Sequence, residues 1–288
     1  MNETPPEGNP DRFLLSRPDF DKLAGFVNGH TGIRLPPVKK AMVEGRLRRR
    51  VRTLGFADFR AYCTYVFDEN GLSQEGGFII DAITTNKTDF FREPDHFRFL
   101  TEIALPQLAL EARIGFSEPL QMWSAAASVG AEAFSMAMVA NDFAQAHKGF
   151  RFSVLATDIC MEVLQKAATA IYPDDMVEAV PAAMRQRYLM RSRDRSLAET
   201  RIVPELRQRV RFARQNLNDA VYAVPRTQHV VFCRNVLIYF DKAMQEAVLS
   251  RICECLLPGG YLFVGHSETV AGFSLPLRQA APTIFLRL

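Results

Sequence analysis

No stretch of this 288-residue chain approaches the roughly 20 consecutive apolar residues that a membrane-spanning helix requires. The segment from Met1 to Asp11 is rich in Pro, Glu, Asn and Gly and has no apolar centre, so a disordered tail over residues 1–12 is expected rather than a secretory signal. Cysteine is scarce. Cys63, Cys160 and Cys233 lie far apart, Cys253 and Cys255 point in different directions if helical, and no CxxC pair exists. The expectation is reduced thiols in a cytoplasmic protein. The five histidines are too scattered to suggest a metal centre, so no metal is expected. A GxGxxG fingerprint is missing, which argues against a nicotinamide-dependent dehydrogenase. No Ser/His/Asp or Cys/His arrangement suggests nucleophilic catalysis, and there is no internal repeat.

What is present suffices for a large core: 48% of residues are apolar and 23% charged. The net charge of +3 says little, but its distribution is uneven. Lys39 to Arg60 holds eight basic residues against Glu44 and Asp58, and Arg185 to Arg214 holds ten arginines against three acids. Two basic segments suggest an acidic partner, protein or nucleic acid, unless both are ordinary solvated faces.

Residues 13–83 read as helical. Asp19 is placed to cap a first helix through Phe20, Leu23 and Val27, and a second begins after Pro36-Pro37. The second carries Val38, Met42 and Leu47 on one face and Lys39, Lys40, Arg46, Arg49 and Arg50 on the other. From Gln121 strands alternate with helices. The strands are expected at 121–125, 152–158, 209–215, 229–235, 261–267 and 283–288, with helices over 133–146, 161–170 and 242–256. That alternation predicts an α/β fold with a doubly wound, mostly parallel sheet. The polar, Arg-rich stretch at about 184–208 breaks the rhythm and predicts a small antiparallel β insertion, with strands at 188–190 and 200–203.

Ligands of such sheets sit at the carboxyl ends of the strands. After the first expected strand comes "SAAASVGAE" (124–132), whose small residues let backbone approach a ligand closely. Asp158 ends the second strand, placed either to accept ribose hydroxyls or to cap the helix that follows. Asn216 follows the third strand, and Arg234 and Asn235 the fourth. Upstream, "TTNKTDFFRE" (84–93) reads as a linker over a pocket with Arg92 directed inward.

Four segments, "TTNKTDFFRE", "WSAAASVGAE", "FCRNVLIYFDK" and "GGYLFVGHSE", occur in an order that resembles the CheR family of chemotaxis receptor methyltransferases. The resemblance covers nearly the whole chain. It implies a small N-terminal helical domain (13–83) joined to a class I methyltransferase domain (84–288) with a linker at 84–100 and the antiparallel insertion. It implies S-adenosyl-L-methionine as cofactor, with Asn86, Thr88 and Arg92 in the closing linker. Glu132 would hold the amino group, Asp158 the ribose, and Asn216, Leu217, Arg234 and Asn235 would complete the pocket. The family usually places two acids and then Pro-Tyr after the glycine; this chain has Ala131, Glu132, Ala133 and Phe134. The family's insertion carries a glycine-bearing loop that in some members docks a receptor peptide tether, and residues 191–201 contain no glycine. Capture of the receptor therefore falls to Arg46, Arg49 and Arg50.

The implied reaction is methyl transfer to glutamate side chains on the cytoplasmic helices of methyl-accepting receptors, giving methyl esters. A glutamate carboxylate with a reference pKa of about 4.3 needs no general base at neutral pH. Arg92 is the candidate to hold the acceptor carboxylate, with Tyr239 aligning it. A nucleic-acid methyltransferase is the weaker reading, because "RNVLIY" has no DPPY-like proline. A non-catalytic, cofactor-binding signalling adaptor is the other alternative. A monomer that neither binds nucleic acid nor inserts into membrane is expected.

Overall fold

The computed structural model describes residues 14–194 and 196–288, so the expected tail over 1–12 lies outside them. The chain divides between Thr85 and Asn86 into two compact units. The first is all helical: α1 (Arg17–Thr31), α2 (Lys40–Thr53), α3 (Phe59–Asp68) and α4 (Leu72–Ile83), with one 3-10 turn before α2. Helix α1 is capped by Ser16 rather than Asp19: the Ser16 side chain accepts from the Asp19 N–H. Pro18 is tolerated because first-turn N–H groups have no helical partner. Apolar residues at helical spacing, among them Phe20, Leu23, Leu47, Phe59, Tyr62 and Ile79, close a core of their own.

The second unit opens with an irregular segment over residues 86–93. Helix α5 (Pro94–Phe99) follows and runs on through wide π-type turns at Leu100–Ala104 and Gln107–Glu111. Pro106 stands between those turns without an N–H to donate, which breaks the ordinary i to i−4 ladder. Next come β1 (Leu120–Ala125), α6 (Ala131–Ala146), β2 (Phe152–Asp158) and α7 (Met161–Thr169). An insertion contributes β3 (Ile171–Pro173), α8 (Ala182–Tyr188), β4 (Leu189–Arg191) and β5 (Glu199–Ile202). The chain ends through α9 (Pro204–Arg207), β6 (Val210–Arg214), β7 (Gln228–Cys233), α10 (Lys242–Cys255), β8 (Leu256–Val264), β9 (Leu277–Ala281) and β10 (Ile284–Arg287).

Seven strands form the main sheet in the order β6-β2-β1-β7-β8-β10-β9. The pairings from β6 to β8 are parallel, and β10 runs antiparallel to both its neighbours. The insertion is a separate antiparallel sheet, β3-β5-β4, which draws in Ile171–Pro173 upstream of the Arg-rich stretch. Strand β9 escapes the sequence pattern because Leu-Arg-Gln-Ala-Ala is polar and mostly exposed, as an edge strand can be. Strand order reverses at β1: the chain passes from β1 to β2 on one side, then returns through β7 on the other. That reversal leaves a crevice at the carboxyl ends of β1 and β7.

Candidate active site

Strand register brings the site residues to one level. Ala125 pairs with Thr157 on one side and Cys233 on the other, so Asp158 and Arg234 emerge beside the loop that follows β1. Asp158 also pairs with Arg214, which puts Gln215 and Asn216 at the same edge. The loop itself turns through three left-handed residues, Ala126 (φ 60°), Ser128 (φ 51°) and Gly130 (φ 85°). A Cβ on Gly130 would sit 3.0 Å from Ala167 Cβ and 3.1 Å from the Phe212 ring, so that glycine permits both the turn and its packing. Asp158 ties the loop down. Its Oδ2 accepts the Ser128 N–H at 2.8 Å and its Oδ1 the Cys160 N–H at 2.9 Å, at the start of α7. The Ser128 hydroxyl reaches the carbonyl of Asn86 at 2.7 Å.

Glu132 stands in the first turn of α6 with 13% of its side chain exposed. Ser124 Oγ donates to it at 2.6 Å and Arg234 Nη1 lies 3.3 Å away. Burial pushes this carboxyl above its ordinary pKa, and Arg234 and Ser124 offset that only in part. The nearby Glu93 and Glu268 carboxylates add to the upward push, and Arg234 is shared with other partners. Its Nε and Nη2 bond Glu93 at 3.3 and 3.0 Å, Nη2 also donates to the Arg92 carbonyl, and its plane lies over Phe97 and Phe232.

Two carboxylates that the sequence reading passed over organise this corner. Glu93 joins Arg234 to the Asn235 side chain (3.1 Å) and the His266 N–H (3.3 Å). Burial would raise its pKa, but Arg234, Asn235 and the His266 N–H outweigh that and hold it below the usual carboxylate value. Glu268 accepts the N–H groups of Asn235 (2.9 Å), Leu237 (2.7 Å) and Gly265 (2.6 Å), which fixes Asn235 at φ 59°. Close approach at Gly265 makes this possible, since a Cβ there would fall 2.5 Å from Asn235 Nδ2. Nearby, His96 is 1% exposed, and burial followed by repulsion from Arg234 pushes its pKa down to about 4. A signal for both acids was available: each is the last residue of a segment that carries the family resemblance.

The remaining expected residues scatter more. Asn216 is buried, and its side-chain oxygen accepts the Asn218 N–H at 2.9 Å. Leu217 is buried, and its carbonyl receives the Tyr222 hydroxyl and Arg251. Asn86 and Thr88 are half-buried, and Asn86 Nδ2 lies 3.7 Å from Cys160 Sγ. Arg92 is half-buried too, and its Nη1 folds back on the Lys87 carbonyl at 3.3 Å. It lines, with Phe90, Phe91, Glu93, Phe97 and Met184, a cavity of about 660 Å³. Tyr239 is half-buried at the end of the 3-10 turn Leu237–Tyr239.

In the helical unit, the basic helix is less free than its composition suggests. Arg46 Nη1 donates to the carbonyls of Ile83 (2.7 Å) and Thr84 (2.8 Å) at the end of α4. Arg50 grips Glu75 with two bonds, at 2.6 and 2.9 Å, and lies 3.7 Å over the Phe78 ring. Among the three candidates for docking, Arg46 and Arg49 are exposed and Arg50 is half-buried.

The donor set fits S-adenosyl-L-methionine. A shielded carboxylate whose neighbouring guanidinium is shared with Glu93 suits a primary ammonium, and an acid at the end of β2 suits a ribose diol. Comparison with known proteins agrees. Residues 86–284 match the SAM-binding domain of CheR methyltransferases, and residues 18–84 match their all-alpha domain. Chemotaxis protein methyltransferase 2 of Pseudomonas aeruginosa is 36% identical, over 98% of this chain and 97% of that protein. The chemotaxis protein methyltransferase of Escherichia coli is 40% identical over 96% and 92%, and that of Salmonella typhimurium 38% over 95% and 91%. With both domains matched in order and S-adenosyl-L-methionine as its cofactor, the chain belongs to the CheR methyltransferase family.

Proposed function

We propose that this protein methylates glutamate side chains of chemotaxis receptors, acting as a cytoplasmic monomer that does not use nucleic acid. The observation that carries the reading is the carboxylate-lined crevice at the strand-order reversal, where Glu132 and Asp158 flank a loop of small residues. When bound, the cofactor supplies a methyl group on a positively charged sulfur, already activated for displacement. Glu132 would receive the amino group and Asp158 the ribose, with Asn86, Thr88, Asn216, Leu217, Arg234 and Asn235 shaping the remaining wall. The acceptor carboxylate is ionised at neutral pH, so the protein has only to orient it and exclude water.

Arg92 is assigned to the acceptor carboxylate, and Tyr239 to its alignment. A single guanidinium is appropriate, because several would hold the anion too firmly for it to attack. In this structure the Arg92 guanidinium rests on a backbone carbonyl, so exchanging that contact for a carboxylate exchanges one hydrogen bond for a stronger, charge-assisted one. All five cysteines are buried and none is in a disulfide, which suits a reducing compartment. No helix among the described residues is long and apolar enough to cross a membrane.

The test is to incubate the protein with radiolabelled S-adenosyl-L-methionine and receptor-containing membranes. Label that base releases as methanol is expected. Arg92→Ala should lower turnover by orders of magnitude while the circular dichroism spectrum stays unchanged. Label that resists base would exclude ester formation, and near-normal turnover would remove Arg92 from the site.

A further inference from the structure

His96 has a feature that methyl transfer does not use. Its Nε2 lies 2.8 Å from Thr283 Oγ1, and that hydroxyl gives its own hydrogen to the Pro282 carbonyl at 2.7 Å. With the hydroxyl hydrogen on Pro282, Nε2 carries the ring proton and the lone pair is left on Nδ1. Nδ1 is buried without a hydrogen-bond partner, and it faces Glu93 Oε2 at 3.4 Å. A nitrogen lone pair opposed to a carboxylate oxygen is repulsive unless a cation lies between them. His266 Nε2 approaches the same Glu93 oxygen at 3.9 Å, and the three ligand atoms all lie within 4.8 Å of one another.

We propose that Glu93, His96 and His266 form a binding site for a divalent transition metal ion, with zinc the best match. Bonds of about 2.0–2.2 Å at tetrahedral angles put ligand atoms roughly 3.4 Å apart. The His96–Glu93 separation already meets that value, and the His266 ring, with its side chain half exposed, has to move closer to both partners, from 3.9 Å at Glu93 Oε2 and from within 4.8 Å of the His96 nitrogen. Two imidazoles and a carboxylate select zinc and its neighbours over magnesium or calcium, which prefer all-oxygen sets. His266 stands at the surface, so it leaves an entry path and a fourth position for water.

The supporting contacts are those that metal sites require. Thr283 fixes the His96 tautomer from the far side of the ring, as outer partners of metal-bound histidines do. Asn235 and the His266 N–H hold the other oxygen of Glu93. Arg234, 3.0 Å from Glu93 Oε2, is the opposing cost. It is offset because three carboxylates, Glu93, Glu132 and Glu268, gather at this corner around that one buried guanidinium. The site is independent of the identity of the methyl acceptor.

The experiment uses the untagged, chelator-treated full chain, titrated with Zn²⁺ by calorimetry and with Co²⁺ by visible absorption. One equivalent of each ion should bind, with Co²⁺ developing ligand-field bands. His266→Ala, a change at a half-exposed side chain, should weaken Zn²⁺ by at least about tenfold, the loss seen on removing even a supporting partner of a ligand. Absence of saturable binding in the folded parent would overturn the proposal. So would equal Zn²⁺ affinity in the parent and His266→Ala, which would assign the ion to the cysteines or elsewhere.

Discussion

Replacing Glu132 with glutamine tests the anion-for-ammonium assignment with little disturbance to its surroundings. The amide oxygen can keep the Ser124 Oγ bond, now 2.6 Å long. Arg234 loses its 3.3 Å ion pair with Glu132 but keeps Glu93 and the Arg92 carbonyl, so no buried charge is abandoned. What disappears is a charge-assisted bond to the ligand, worth about 1.5–3 kcal/mol. At about 1.4 kcal/mol per factor of ten, the dissociation constant of S-adenosylhomocysteine should rise by roughly 10- to 150-fold. Calorimetry provides that number, and a second ligand isolates its cause. Methylthioadenosine has the same nucleoside and thioether but no amino acid portion, so it should bind parent and Glu132→Gln alike. An equal loss for both ligands would mean that the substitution deforms the pocket. No loss for either would place the ammonium elsewhere and refute the reasoning.

Other consequences can be measured directly. Gly130→Ala forces a Cβ into a left-handed turn against Ala167 and Phe212, so urea unfolding should register a loss of about 1–3 kcal/mol, with weaker cofactor binding. Glu75→Ala would strand Arg50 and the Tyr62 hydroxyl. A loss near 3 kcal/mol is expected, the low end for a broken buried pair because Arg50 keeps 28% exposure, read as a lower urea midpoint. Arg49→Glu should slow methylation of receptor membranes several-fold and leave the calorimetric affinity for S-adenosylhomocysteine unchanged. Arg46→Glu should instead lower stability as well, because Arg46 bonds the last carbonyls of α4.

The sequence was most legible where pattern and function share one cause. Six strands, the parallel core and its antiparallel partner, were visible in the sequence, although β6 interleaves its apolar residues with Arg211 and Arg214. The first special residue after each of four strands (the small-residue loop, Asp158, Asn216 and Arg234) lies at one edge because the parallel register aligns them. The segments that carry Glu93 and Glu268 were legible, but the partners those two acids find were not. Glu93 meets Arg234 from 141 positions away, and Glu268 meets Asn235 from 33, and neither distance leaves a local pattern. Charge patterning also overstated how free the basic helix is. Arg46 and Arg50, four residues apart, share a face of α2 that serves α4, so what reads as a solvated stripe is partly internal bonding. The helix from Pro94 onward was hidden in the expected linker, whose length rested on family boundaries rather than on periodicity.

Arg92 is bracketed by two residues in left-handed backbone, Phe91 (φ 52°) and Glu93 (φ 58°), neither of them glycine. Ser135 on α6 holds the Phe91 N–H at 3.0 Å, and the ends of β7 and β8 hold the Glu93 carboxylate. The conformation is thus enforced from outside the segment, at a backbone cost of about 1–3 kcal/mol per residue. Anyone transplanting residues 86–93 into a different scaffold would have to carry Ser135, Arg234, Asn235 and the turn after β8 with them. Moved alone, the peptide would relax to ordinary dihedrals and aim its arginine somewhere else.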